Sequence, residues 1–170
     1  MIKRLFFFIP FLMSACVNIP KNVSPVTGFD IDRYLGTWYE IARLDHSFER
    51  GLESVTADYS YRDDGGIKVV NRGFDPAKNK WKETIGKAYF VDDSNLGRLK
   101  VSFWGPFYGA YNIINLDKDN YSYSLVCGPS KSYLWILARE PHMEDSLKSE
   151  LIKKAKVLGF ETDKMIYVKH

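Results

Sequence analysis

A chain of 170 residues with 45% hydrophobic and 26% charged side chains has the size and composition of one folded domain, which excludes a disordered or collagen-like polymer. The 24 Lys and Arg residues exceed the 21 Asp and Glu by three, and Lys3 and Arg4 account for two of that excess. Without residues 1–15 the count is 22 against 21, and with no basic stripe a nucleic-acid partner is not expected.

The N-terminus has the layout of an export signal. Lys3 and Arg4 are followed by an apolar run over 5–13, then by Ser14 and Ala15 as a small-residue cleavage site. Nine apolar-type residues, interrupted by Pro10, are too short for a bilayer core of roughly 30 Å. The ending Leu12-Met13-Ser14-Ala15-Cys16 resembles a bacterial lipobox, with Met13 where Leu is commonest. That resemblance implies cleavage after residue 15, diacylglycerol on the Cys16 sulfur and an acyl chain such as palmitate on its new amino group. Val17, where Asp would favour inner-membrane retention, implies the outer membrane. With Cys16 acylated, Cys127 has no partner, and its place at the end of an apolar strand suits a buried thiol. Residues 16–28 hold Pro20 and Pro25 and show no sustained period, so they read as a flexible tether spanning about 20 Å.

From residue 36 to 139 short runs rich in Val, Ile, Tyr, Phe and Trp alternate with turns. Turn signals stand at 62–66, 75–79, 92–97, 105–106, 117–120 and 128–132. With the segment 38–44 this makes eight antiparallel strands, a number that closes into a barrel just wide enough for side chains or one small ligand. Leu99, Val101 and Phe103 share one face and Lys100 and Ser102 the other, while Gly86, Ala88 and Phe90 mix small and large as a cavity wall does. On pattern alone a filled β-sandwich stays open. Met143, Leu147, Leu151, Ala155 and Leu158 then form one apolar stripe at helical spacing, with Pro141 before it and Gly159 after. This predicts a single late helix packed outside the sheet, and a short last strand follows at 166–168.

Three stretches carry a family resemblance. Asp32-Arg33-Tyr34-Leu35-Gly36-Thr37-Trp38-Tyr39-Glu40-Ile41-Ala42-Arg43 resembles the first lipocalin signature, centred on Gly36-x-Trp38. Tyr133-Leu134-Trp135-Ile136-Leu137-Ala138-Arg139 resembles the third, ending in its arginine. Gly105-Pro106-Phe107-Tyr108-Gly109-Ala110-Tyr111, with Asp117 to follow, is similar to the bacterial lipoprotein branch, although the usual Thr-Asp-Tyr of the second signature is only approximated. The resemblance spans 29–169. It implies an all-β, eight-stranded antiparallel up-and-down barrel of the lipocalin (calycin) type over 29–170, behind a signal peptide (1–15) and a lipidated tether (16–28). Gly36, Trp38 and Arg139 would be structural, the indole plugging the closed end and the guanidinium lying on its face.

The implied function is to bind, store or transport a small apolar ligand, a fatty acid or lysophospholipid, on the periplasmic side of the outer membrane. Ala88, Phe90, Val101, Phe103 and Tyr111 are the candidate lining. No catalytic residue, metal ligand or cofactor is expected, and a homodimer stays open. Two alternatives stand beside this. One is a structural envelope lipoprotein with a filled barrel. The other is a lipid-acting enzyme using His46 and Glu49 of the loop 45–51 as acid and base, in which Arg50 otherwise offers Glu49 an ion-pair partner. Lys78, Lys80 and Lys82 in a hairpin read as a solvated loop face.

Overall fold

Alternating apolar and polar side chains carry the chain through eight strands: β1 (Gly36–Leu44), β2 (Glu53–Tyr61), β3 (Ile67–Asp75), β4 (Lys80–Phe90), β5 (Arg98–Trp104), β6 (Phe107–Leu116), β7 (Tyr123–Cys127) and β8 (Leu134–Ala138). The computed structural model describes residues 17–170, so the signal segment and Cys16 lie outside the described residues. Each strand pairs antiparallel with the next from β2 to β8, and β1 pairs with both β8 and β2, which closes the barrel. A short helix α1 (Ile31–Tyr34) precedes β1. After β8 come helix α2 (Asp145–Val157) and strand β9 (Met165–Tyr167), which pairs with the far half of β1.

Because the barrel runs up and down, its connections alternate between two ends. The loops 62–66, 91–97 and 117–122 lie with α1 at one end, and the loops 45–52, 76–79, 105–106 and 128–133 at the other. The α1 end is closed. Trp38 is fully buried, stacks on Tyr34 with ring centroids 4.6 Å apart, and donates its indole N–H to the Tyr34 carbonyl at 2.8 Å. The Arg139 guanidinium carbon lies 4.1 Å from the Trp38 ring centroid. Its Nη1 donates to the Thr37 carbonyl and its Nη2 to those of Arg33 and Leu35, at 2.8–2.9 Å. Gly36 turns the chain into β1 at φ +88°, in the left-handed region that disfavours a side chain. Arg139→Lys keeps the charge but loses the planar stack and the fork of donors. It is expected to lower the unfolding free energy by about 1–2 kcal/mol, read as a lower urea midpoint at unchanged slope.

Helix α2 lies outside the barrel. Its buried Leu151 and Ala155 pack with the outward-facing Leu125, Leu134 and Ile136 of β7 and β8, and Met143, Leu147 and Leu158 extend the same contact. Gly159 ends the helix at φ +85°.

One expectation needs correction. Residues 17–28 do not stand free as a tether. Val26 donates its N–H to the Ile113 carbonyl and accepts from Gly97, and Thr27 bridges Leu96. Val23 is buried and Ile19 packs against the α2 cluster. The apolar residues that looked incidental in a Pro-containing linker bury surface against the barrel wall, and the backbone bonds to Gly97 and Ile113 where the β5–β6 ladder ends.

Candidate functional site

The barrel interior divides by height. Near α1 it is filled: Trp38, Ile113 and Val126 are fully buried, and Phe29 and Tyr34 complete the plug. Farther up, the inward-facing Ala57, Val101, Phe103, Tyr111 and Trp135 keep part of their surface accessible. The upper barrel is therefore less tightly filled than the base. Close approach across one wall requires a glycine: a Cβ on Gly86 would meet the Phe103 ring at 2.7 Å.

A band of hydroxyls marks the boundary between the two zones. Tyr111 Oη lies 2.8 Å from both Tyr34 Oη and Tyr59 Oη, and Tyr34 donates to Ser124 Oγ at 3.3 Å. Burial pushes all three phenols up, that of Tyr34 to about 12, so they remain neutral hydrogen-bonding groups.

Above the hydroxyls sits a charged cluster that period-two alternation does not predict. The register of β1 against β8 slips between Glu40 and Ala42. That bulge leaves Ile41 and Ala42 together in the outer cluster and turns both Glu40 and Arg43 inward. Arg43 is 1% exposed. It donates from Nη1 to Glu40 Oε1 at 2.6 Å and from Nη2 to the Glu49 carbonyl at 2.8 Å, while its Nε has no partner. Glu49 folds in from the mouth loop, and its Oε2 accepts the Trp135 indole N–H at 3.0 Å. Two carboxyls thus face one guanidinium out of water. Burial, together with the like charge of Glu49, pushes Glu40 up to about 8, and burial also raises Glu49. The physical meaning is that the carboxyl pair retains a proton near neutrality.

The mouth loop is held by stacking as well. His46 lies nearly parallel to Tyr133 (centroids 4.5 Å apart) and to Phe48 (5.3 Å), and burial lowers its pKa, keeping it neutral. Its ring does not reach the Glu49 carboxylate, and the only hydrogen bond between the two residues joins their backbones. Arg50 pairs with Asp45, at 2.7–2.8 Å, and not with Glu49. So the acid–base pair read from the loop is not assembled, and the ion pair assigned to Glu49 belongs to Asp45.

Ala88, Phe90, Val101, Phe103 and Tyr111 all belong to the inward-facing cluster, Ala88 being buried and the others partly open. Sequence reasoning missed Tyr34, Tyr59, Glu40, Arg43 and Trp135. The available signal was a Glu and an Arg three apart inside an apolar run, which only a bulge makes into neighbours. Cys127 is fully buried beside Asn112 on the outer wall, and burial pushes its thiol up to about 12, which leaves it unreactive.

A family model described as a lipocalin-like domain matches residues 29–170. The chain is a lipocalin. It is 54% identical over 157 residues to the outer membrane lipoprotein Blc of Vibrio cholerae, covering 92% of each chain. It is 53% identical over 160 residues to the protein of that name from Escherichia coli K12, covering 93% of this chain and 90% of the other. A plant relative, temperature-induced lipocalin-1 of Arabidopsis thaliana, is 35% identical over 85% of this chain and 81% of its own. Among solved structures, insecticyanin from the tobacco hornworm Manduca sexta has the same fold, with a TM-score of 0.71 at 18% identity over 90% of this chain and 87% of the other. This lipocalin is therefore of the bacterial Blc type, built on an eight-stranded barrel with one added strand and an outer helix.

Proposed function

We propose that this lipocalin is anchored through Cys16 to the outer membrane, facing the periplasm, and that it binds and carries a small apolar ligand, a fatty acid or lysophospholipid. The observation that carries this reading is that the inward-facing Val101, Phe103, Tyr111 and Trp135 of the upper barrel are only partly buried, above a fully buried base. An acyl chain there leaves water for a preformed apolar space. Ala88 and Phe90 line the lower wall, and the polar head stays toward the mouth, where Lys78 and Lys80 are exposed. The Tyr34–Tyr111–Tyr59 hydroxyls satisfy one another and set the floor. Its sequence relatives named outer membrane lipoproteins support the location. A non-enzymatic role fits a mouth loop in which His46 and Glu49 are engaged with Tyr133 and Trp135 instead of with each other.

The test is native mass spectrometry of the protein purified from envelopes, followed by delipidation and addition of palmitate or lysophosphatidylethanolamine. One acyl ligand bound per chain is the expected result. Failure to take up either probe would sink the carrier reading in favour of a filled structural barrel, and a mature mass without acyl chains would sink the anchor.

A further inference from the structure

The barrel closes differently in its two halves. Near the base β1 pairs directly with β2, from Gly36↔Tyr59 to Tyr39↔Thr56. Above Tyr39 the two strands part, and each is irregular there. β1 slips against β8 between Glu40 and Ala42, and β2 slips against β3 between Glu53 and Thr56. Ser54, within the second slip, holds φ +49°, in the left-handed region that disfavours a side chain. The vacated edge of β1 is taken by the last strand. β9 pairs from Ala42↔Tyr167 to Leu44↔Met165, Val168 donates its N–H to the Ile41 carbonyl, and His170 Nε2 lies 2.9 Å from the Glu40 carbonyl. Residues 165–170 therefore form a strap between β1 and β2 in the mouth half, bound to β1.

Their hold on β2 is slight. Among the described residues one backbone hydrogen bond crosses this joint, from the Ser54 N–H to the Lys169 carbonyl at 2.7 Å. The Lys169 side chain is 82% exposed, and its ion pair with Glu53 at 3.4 Å is screened by water. By contrast β3 and β4 pair through nine consecutive residues, from Ile67↔Ala88 to Asp75↔Lys80. On the inner side the Arg43 guanidinium spans the same gap, donating to the carbonyls of Glu49 and Leu52 at 2.8 and 3.4 Å. Glu49 and Leu52 belong to the loop that leads into β2, so the seam is held by the strap outside and one guanidinium inside.

We propose that this seam, between β2 and the strap 165–170, is the gate by which an amphiphilic ligand enters and leaves the barrel. The inference rests on the lipid-carrying role proposed above. A joint resting on a single backbone hydrogen bond parts more readily than a full ladder. Behind it, Arg43 Nε is buried and has no hydrogen-bond partner among the described residues. It offers a donor to the carboxylate or phosphate of a ligand passing the seam. The base stays shut meanwhile, because β1 and β2 remain paired up to Tyr39 and Trp38 fills the plug.

The test is a reversible lock. Ser54→Cys/Lys169→Cys joins two residues already bonded backbone to backbone, which brings their Cα atoms within about 7 Å, inside the reach of a disulfide. Cys127 is fully buried and stays out of the exchange. The full-length variant is held in detergent micelles, and the mass of the joined 54/169 peptide verifies the cross-link. Uptake of cis-parinaric acid is followed by energy transfer from tryptophan, before and after reduction, counting only the signal that excess palmitate removes. The oxidised form is expected to take up the probe at least about tenfold more slowly than the reduced form, with the same final amplitude. Equal rates overturn the proposal, since the ligand then enters without parting the seam. If no cross-link forms, or if the reduced form takes up no probe, which would sink the carrier reading, amide exchange in the native protein decides. Faster exchange at Ser54 and Val168 than across Gly36–Tyr39 supports the seam as the place where the barrel opens, and equal protection overturns it.

Discussion

Trp38→Ala is expected to lower the unfolding free energy by about 3–5 kcal/mol. The indole is fully buried and touches the plug from three sides: Tyr34 stacked at 4.6 Å, the Arg139 guanidinium at 4.1 Å, and the Tyr34 carbonyl accepting its N–H. Truncation removes the apolar contact, leaves a cavity at the closed end and orphans a buried carbonyl. Urea unfolding followed by far-ultraviolet circular dichroism checks it. Trp38→Phe keeps most of the volume and should recover well over half of the loss. A Trp38→Ala loss below about 1 kcal/mol would mean that the base can collapse around the vacancy.

The second large effect is at Arg43. Arg43→Met preserves the aliphatic stem and removes the charge, so two buried carboxyls lose their cation and the mouth loop loses its hold on the Glu49 carbonyl. Breaking a buried pair from one side costs about 3–5 kcal/mol. Hydrogen exchange should accelerate over residues 45–52 while the plug stays protected. If the single variant does not fold, the triple Arg43→Met/Glu40→Gln/Glu49→Gln separates charge from packing. With no ion left unpaired, it is expected to regain roughly 2 kcal/mol or more.

The same cluster makes stability depend on pH with a defined sign. Burial and Glu49 raise Glu40 from an ordinary 4.5 to about 8 in the fold, so the native state holds a proton that the unfolded chain releases. The stabilisation is complete below the unfolded value and is lost as pH rises from about 4.5 through about 8. His46, whose pKa is lowered, works in the opposite sense, losing its stabilisation as pH falls below its unfolded value. The comparison is therefore between native protein and Glu40→Gln. Between buffers at about pH 5 and about pH 8 the native protein should lose more stability than the variant, a tenfold difference in proton affinity between the folded and unfolded chains being worth about 1.4 kcal/mol. Parallel profiles would place the retained proton elsewhere.

Much of this architecture was legible in the chain itself. Turn residues at regular spacing separate the strands, period-two alternation puts Leu99, Val101 and Phe103 on one face, and a four-and-three spacing from Met143 to Leu158 marks the helix. These are local properties, set by backbone geometry and by the need of each element to bury one face. Trp38 and Arg139 were readable as a pair only through family resemblance, because they stand near opposite ends of the barrel sequence and their contact exists only once β1 and β8 are side by side.

The upper interior was decided by tertiary structure. Alternation from Trp38 places Glu40 inside and Arg43 outside. The bulge between Glu40 and Ala42 reverses the second assignment, and a local pattern does not specify a one-residue slip against a partner strand. Glu49 reaches the cluster from a loop whose path depends on Arg43, Tyr133 and Trp135, residues drawn from separate parts of the chain. The segment 17–28 shows the same limit in reverse. Its prolines and polar residues speak for a free linker, but Gly97 and Ile113 at the end of the β5–β6 ladder offer backbone partners that no inspection of the segment alone reveals. Strand, helix and turn are encoded locally by side-chain period. Which polar groups meet inside the barrel is settled by register and closure, and these are properties of the whole sheet.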